Sequence, residues 1–144
     1  MKSILTFLLL ASVVANGQIH FTQKVFAFVQ NTEGGEPHHS IYMQMPADSI
    51  PFWDTAIIAG KKYSVHFSPV ETMPVQVGVR KSDKRMVSIK AAPDTKMYML
   101  YFDATSENAT AQEVAKSNAA AIVFTGRIKG RKITYKILTE VELE

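Results

Sequence analysis

Apolar and polar residues alternate with a period of two along most of the chain after about residue 24. Lys24–Gln30 (KVFAFVQ) is apolar on both faces, the pattern of a strand covered on each side. Ser40–Met45 places Ile41, Met43 and Met45 on one face, and Tyr63–Phe67 alternates Tyr63, Val65 and Phe67 with Ser64 and His66. Val75–Arg80 and Arg85–Lys90 alternate in the same way, while Met97–Phe102 (MYMLYF) is again apolar on both sides. Gly34-Gly35, Pro37, Pro46, Pro51, Pro69, Pro74 and Pro93 separate these runs.

Two turns are specified locally. Ala59-Gly60 joins Thr55–Ala59 to Lys62–Phe67, with glycine supplying the positive φ that a tight hairpin needs. Lys129-Gly130 sets a C-terminal hairpin in which Ile128 faces Arg131, Phe124 faces Tyr135 and Ile122 faces Ile137. A slip of one residue would put Phe124 against a polar partner, so pattern and turn agree on one register. Beyond it Ile137, Thr139, Val141 and Leu143 continue the alternation against Glu140, Glu142 and Glu144. One helix is predicted, from the capping box Thr110-Ala111-Gln112-Glu113 through an Ala-rich stretch to about Ala119. Eight or nine short strands with one helix predict an all-β fold. An antiparallel β-sandwich, Ig-like or similar, is the first expectation and a barrel the second.

The first residues change the picture. Lys2 precedes an apolar run of roughly a dozen residues, Ile4–Ala15, too short to span a ~30 Å hydrocarbon layer but the length of a signal-peptide core. Small residues at Ala15 and Gly17 predict cleavage before Gln18, with cleavage after Ala15 as the alternative. Residues 1–17 are therefore expected to be a leader, and 18–144 one secreted, periplasmic or cell-surface domain with no transmembrane anchor. The formal charge of +3 is small and includes Lys2, so it gives no general reason to bind nucleic acid. The absence of cysteine excludes disulfide-stapled scaffolds, thiol chemistry and cysteine metal sites.

Several clusters carry candidate chemistry, each beside a plain structural role. Arg127, Lys129, Arg131 and Lys132 crowd the C-terminal hairpin tip, with Arg127 opposite Lys132. Like charges so placed repel unless an anion bridges them, although lysines also guard sheet edges. Arg80, Lys81, Lys84 and Arg85 form a second basic turn. Trp53, in Ile50-Pro51-Phe52-Trp53-Asp54, suits a partner-binding platform or a plug at one end of the core. His38-His39 in a Gly- and Pro-flanked loop, with Met43 and Met45, would offer imidazole and thioether ligands to copper or zinc, or be a solvated loop followed by core filler. Met97 and Met99 repeat the thioether pattern. No paired carboxylates, nucleophile elbow or phosphate-cradling glycine loop points to an enzyme. Asn108-Ala109-Thr110 is a glycosylation sequon that matters only in a eukaryotic secretory pathway.

These features lead to a non-catalytic binding module without a cofactor. Its partner is expected to be a protein or an anionic glycan or surface, and not nucleic acid, because aromatics do not interleave with the charges. The alternatives are a His/Met copper protein and a lipocalin-like carrier of a small apolar ligand. N-terminal sequencing of the exported product is expected to begin at Gln18; an uncut leader would remove the assignment of export.

Overall fold

The computed structural model describes residues 24–105, 108–117 and 121–144. Residues 1–17, the expected leader, lie outside that range. The described chain is mostly β, with strands β1 (Lys24–Gln30), β2 (His38–Pro46), β3 (Trp53–Ile58), β4 (Lys61–Pro69), β5 (Val75–Val79), β6 (Met86–Ile89) and β7 (Thr95–Ala104). Helix α1 (Ala111–Ser117) follows, then β8 (Ile122–Ile128), β9 (Arg131–Ile137) and β10 (Val141–Leu143).

The local predictions are met where short-range chemistry decides. Ala59 and Gly60 have φ of 49° and 77°, and Lys129 and Gly130 repeat those values. Two successive positive φ angles give the turn whose twist matches that of the strands it joins. β8 and β9 pair in the expected register, Phe124 with Tyr135 and Ile122 with Ile137. At the start of α1 the Glu113 amide donates to the Thr110 hydroxyl (3.1 Å), and the Thr110 amide donates to the Glu113 carboxylate (2.9 Å). This is the reciprocal capping box.

The coarse expectation, a mainly β chain, holds, and its finer arrangement differs. The strands do not divide into two comparable sheets. Eight form one sheet, in the order β10-β1-β2-β7-β4-β3-β8-β9, and β5-β6 form a separate ribbon. The connection between β9 and β10 explains the shape. These strands are the two edges of the sheet, yet only residues 138–140 separate them. Seven spacings in a flat sheet would put the edges about 34 Å apart. Four Cα steps reach at most about 15 Å. The sheet must therefore curl, and it forms a half-barrel.

Strand direction adds a second constraint. Every pairing from β1 round to β9 is antiparallel, so β9 runs the same way as β1. β9 and β10 behave as one interrupted strand, which leaves β8 at Ile137 and reaches β1 at Val141. The meeting is accordingly parallel, Phe28 with Val141 and Gln30 with Leu143.

Two apolar clusters follow from this curvature. Ile41, Met43, Trp53, Leu100, Ile122 and Phe124 fill the inside of the curl. On the outer face, the β5-β6 ribbon brings Val87 and Ile89 against Phe28, Tyr42, Met97 and Leu143. That second layer explains why β1 and β7 are apolar on both faces. Trp53 contacts the rings of Phe52, Phe124 and Tyr135 at 4.9, 5.8 and 6.0 Å between centroids. Across the ladder from Trp53 stands Gly126. A Cβ there would overlap the Phe52 carbonyl oxygen. Gly126→Ala is thus expected to destabilise the fold by about 1–3 kcal/mol, the usual cost of overpacking. Urea unfolding would show it as a lower midpoint at unchanged slope.

Candidate functional site

β8 and β9 carry their tip to the end of the sheet where β1 and β7 begin. Arg127, Lys129, Arg131 and Lys132 are all exposed there, and Arg127 stands opposite Lys132. None of the four enters an ion pair among the described residues. Lys132 acts at longer range on Glu113. That carboxyl is held below its ordinary range first by the Thr110 amide, then by Lys62, with a smaller contribution from Lys132.

The loop 47–52 lies against the tip. The Arg127 amide donates to the Phe52 carbonyl (3.3 Å), the Ser49 amide to Pro46 (2.9 Å) and the Tyr98 hydroxyl to Ser49 (3.4 Å). The sequence expectation for this loop needs correction. Trp53 is only 2% exposed, because it opens β3 facing into the curl, so it is a core plug and no surface platform. The side chain that does project is Ile50, 68% exposed. Its position depends on how the loop folds over the end of the sheet, which no local pattern reveals.

The second basic turn is a different environment. Arg80 pairs with Asp83 at 2.9 Å, Lys81 with Glu142 at 2.8 Å, and Lys84 with Glu144. Backbone bonds run beside them, from the Lys81 amide to Glu142 and from the Glu144 amide to Val79, each 2.9 Å. Three of the turn's four cations are therefore paired, all but Arg85, and the turn is fastened to β10. It also lies by the far end of β1, where Gln30 meets Leu143, so the two basic turns occupy opposite ends of the sheet.

The metal reading also needs correction. His38 and His39 sit in β2, paired with Gln30 and Val29, and not in a loop. Adjacent strand residues point to opposite faces, so the two imidazoles diverge. Met43 and Met45 are 0% and 3% exposed within the inner cluster, and Met97 belongs to the outer one. His39 shares the inner face with Met43 but stands four residues away, about 13 Å along a strand. The nearest acid to His39 is Glu140, with Nδ1 2.6 Å from Oε2 and both side chains largely buried. His66 faces Asp103 at 3.0 Å in solvent. Among the described residues no three His, Asp or Glu side chains converge for a metal.

Two of the clefts among the described residues border the sheet where neighbouring strands part. One, of about 430 Å³, opens where β2 and β7 diverge, between His38-His39 and Tyr101–Asp103. The other, of about 500 Å³, opens where β1 and β9 diverge. The inside of the curl is filled with side chains, unlike the hollow barrel of a lipocalin-like carrier. Asn108, in the sequon, is exposed. Comparison with protein-family models, curated proteins and solved structures gives no match.

Acid should release the fastened turn before the core. Hydrogen bonds first from Lys81 and then from Asn31 lower the Glu142 pKa, and the bond to Glu142 raises that of Lys81. The Glu142 contribution is present above the ordinary glutamate value, ~4.3, and is lost as pH falls through its lower folded value. The Lys81 contribution is present below the ordinary lysine value and lost as pH rises through its raised folded one. Amide exchange at Lys81 and Glu144 is therefore expected to accelerate below about pH 4, while Phe124 stays protected. Simultaneous loss of both would show that the turn has no separate acid response.

Proposed function

We propose that the chain is an exported, non-catalytic binding module that captures an anionic partner or surface with its β8-β9 tip. The observation that carries this reading is the contrast between the two basic turns. At Arg80–Arg85 three of the four cations, all but Arg85, are matched by Asp83, Glu142 and Glu144. At the tip four exposed cations have no ion-pair partner among the described residues, and Arg127 faces Lys132. Like charges directly opposed on a ribbon cost stability unless an external anion bridges them. Exposed Ile50, in the loop whose Phe52 carbonyl accepts from the Arg127 amide, offers an apolar contact in addition to the electrostatic one. In this reading the curled sheet and the ribbon on its outer face serve as the two layers of a sandwich-like frame, and the end loops do the recognising.

The test replaces Arg127, Lys129, Arg131 and Lys132 together by Gln and follows retention on a sulfated polysaccharide and on anionic vesicles. All four side chains are exposed, so folding should be unaffected. Affinity is expected to fall at least ~10-fold at low salt, with a shallower dependence on ionic strength. Retention identical to that of the parent protein on both supports would refute electrostatic capture at the tip.

A further inference from the structure

The cleft between β1 and β9 is bounded by two strands whose facing edges are not joined. β10 covers β1 only from Phe28 to Gln30, so the outer edge of residues 24–27 has no ladder partner among the described residues. β9 is the opposite edge of the sheet and, among the described residues, pairs only with β8. Side chains of both strands, Val25 and Ala27 from β1 with Ile133 and Tyr135 from β9, pack against the same inner cluster. The seam is therefore filled at its base, while at its sides the strand edges have no ladder partner among the described residues.

We infer that this seam accepts an extended segment of a partner protein as an additional strand, one that alternates apolar and acidic residues. The inference rests on the proposed basic-tip reading and deepens it by naming the partner's chemistry. Three observations support it. β1 and β9 run the same way, so one strand antiparallel to both would complete the alternation that the parallel β1-β10 contact interrupts. Side chains pointing inward from that strand would meet Val25, Ala27, Ile133 and Tyr135, which calls for apolar residues at every second position. Side chains pointing outward would meet Lys136, which lines the cleft beside Val87, Ser88 and Ile89 of the ribbon, and would run on toward Lys24 and Lys132 on the same face of the two strands. All three lysines are exposed and none is in an ion pair among the described residues, which calls for carboxylates between them. Lys24 lies over the Phe26 ring at 5.0 Å.

The same lysines exclude a second copy as occupant through this edge. Two β9 edges brought together would oppose cation to cation, the arrangement by which edge lysines prevent self-association. The seam also begins at the basic tip, since Arg131 and Lys132 are the first residues of β9. An acidic strand would thus be captured at the tip and laid along the seam, the mode in which main-chain bonds supply affinity and alternate side chains supply selectivity.

The probes are a ten-residue peptide alternating valine with glutamate, the same peptide N-methylated at every second residue, and its valine–lysine counterpart. Binding is read by fluorescence anisotropy, and amide exchange is followed along β1 and β9. The acidic peptide is expected to bind and to protect amides in 24–27 and 132–136. N-methylation should weaken it at least tenfold, as should the triple variant Lys24→Glu, Lys132→Glu, Lys136→Glu, and the lysine peptide should not bind. Equal binding of the methylated and unmethylated peptides would overturn strand addition while leaving electrostatic capture intact. Binding of sulfated polysaccharide with no binding of the acidic peptide would overturn the peptide assignment alone. Failure of peptide, polysaccharide and vesicles together would remove both readings.

Discussion

Everything in this fold depends on the short reach of residues 138–140. A chain that ends one strand at one edge of a sheet and begins the next at the other edge, three residues later, cannot lie flat. Curvature gives the sheet an inside, and the inside is where Trp53, Phe124 and Leu100 find apolar neighbours. The buried contact of Glu140 with His39 fixes this link to β2, so the segment that sets the curvature is itself held in place. Removing one member of such a pair would strand the other in a largely apolar setting, which is costly whatever the net value of the intact pair.

The ribbon is the second necessity. β10, β1, β2 and β7 present Phe28, Tyr42 and Met97 on the outside of the curl, and these would face water without β5 and β6. Two cations of the β5-β6 turn, Lys81 and Lys84, are accordingly tied to the carboxylates of Glu142 and Glu144. At the tip of β8-β9, in contrast, four exposed cations crowd one turn with no ion-pair partner among the described residues. Two turns of similar composition thus acquire different electrostatic surroundings from what folds next to them.

Features governed by neighbours in sequence were legible before the structure. The β8-β9 register, the positive φ at Gly60 and Gly130, and the Thr110-Glu113 cap follow from local sterics and hydrogen bonding. Features governed by distant pairing were not. His38 and His39 look like loop residues beside Gly34, Gly35 and Pro37, but the ladder to Gln30 and Val29 draws them into β2. The neutralising partners of Lys81 and Lys84 lie 61 and 60 residues further on, beyond any window of periodicity. The alternation from Ile137 to Leu143 reads as one continuous strand and is one in direction, but its second half belongs to a different edge. Of the candidate site, the tip was visible as a run of charge. Ile50 and the open seam were not, because exposure and edge status are properties of the assembled sheet.

The pairing of Phe28 with Val141 also has a bearing on how this molecule comes into being. Its first described strand waits for its last, more than a hundred residues later, before the two can meet. During synthesis neither the curl of the sheet nor the covering of its outer face can be finished early, because both require the segment Val141–Leu143. Such distant closure slows folding and keeps the nascent polypeptide loose. A polypeptide exported unfolded, as proposed above, would gain from lateness of that kind.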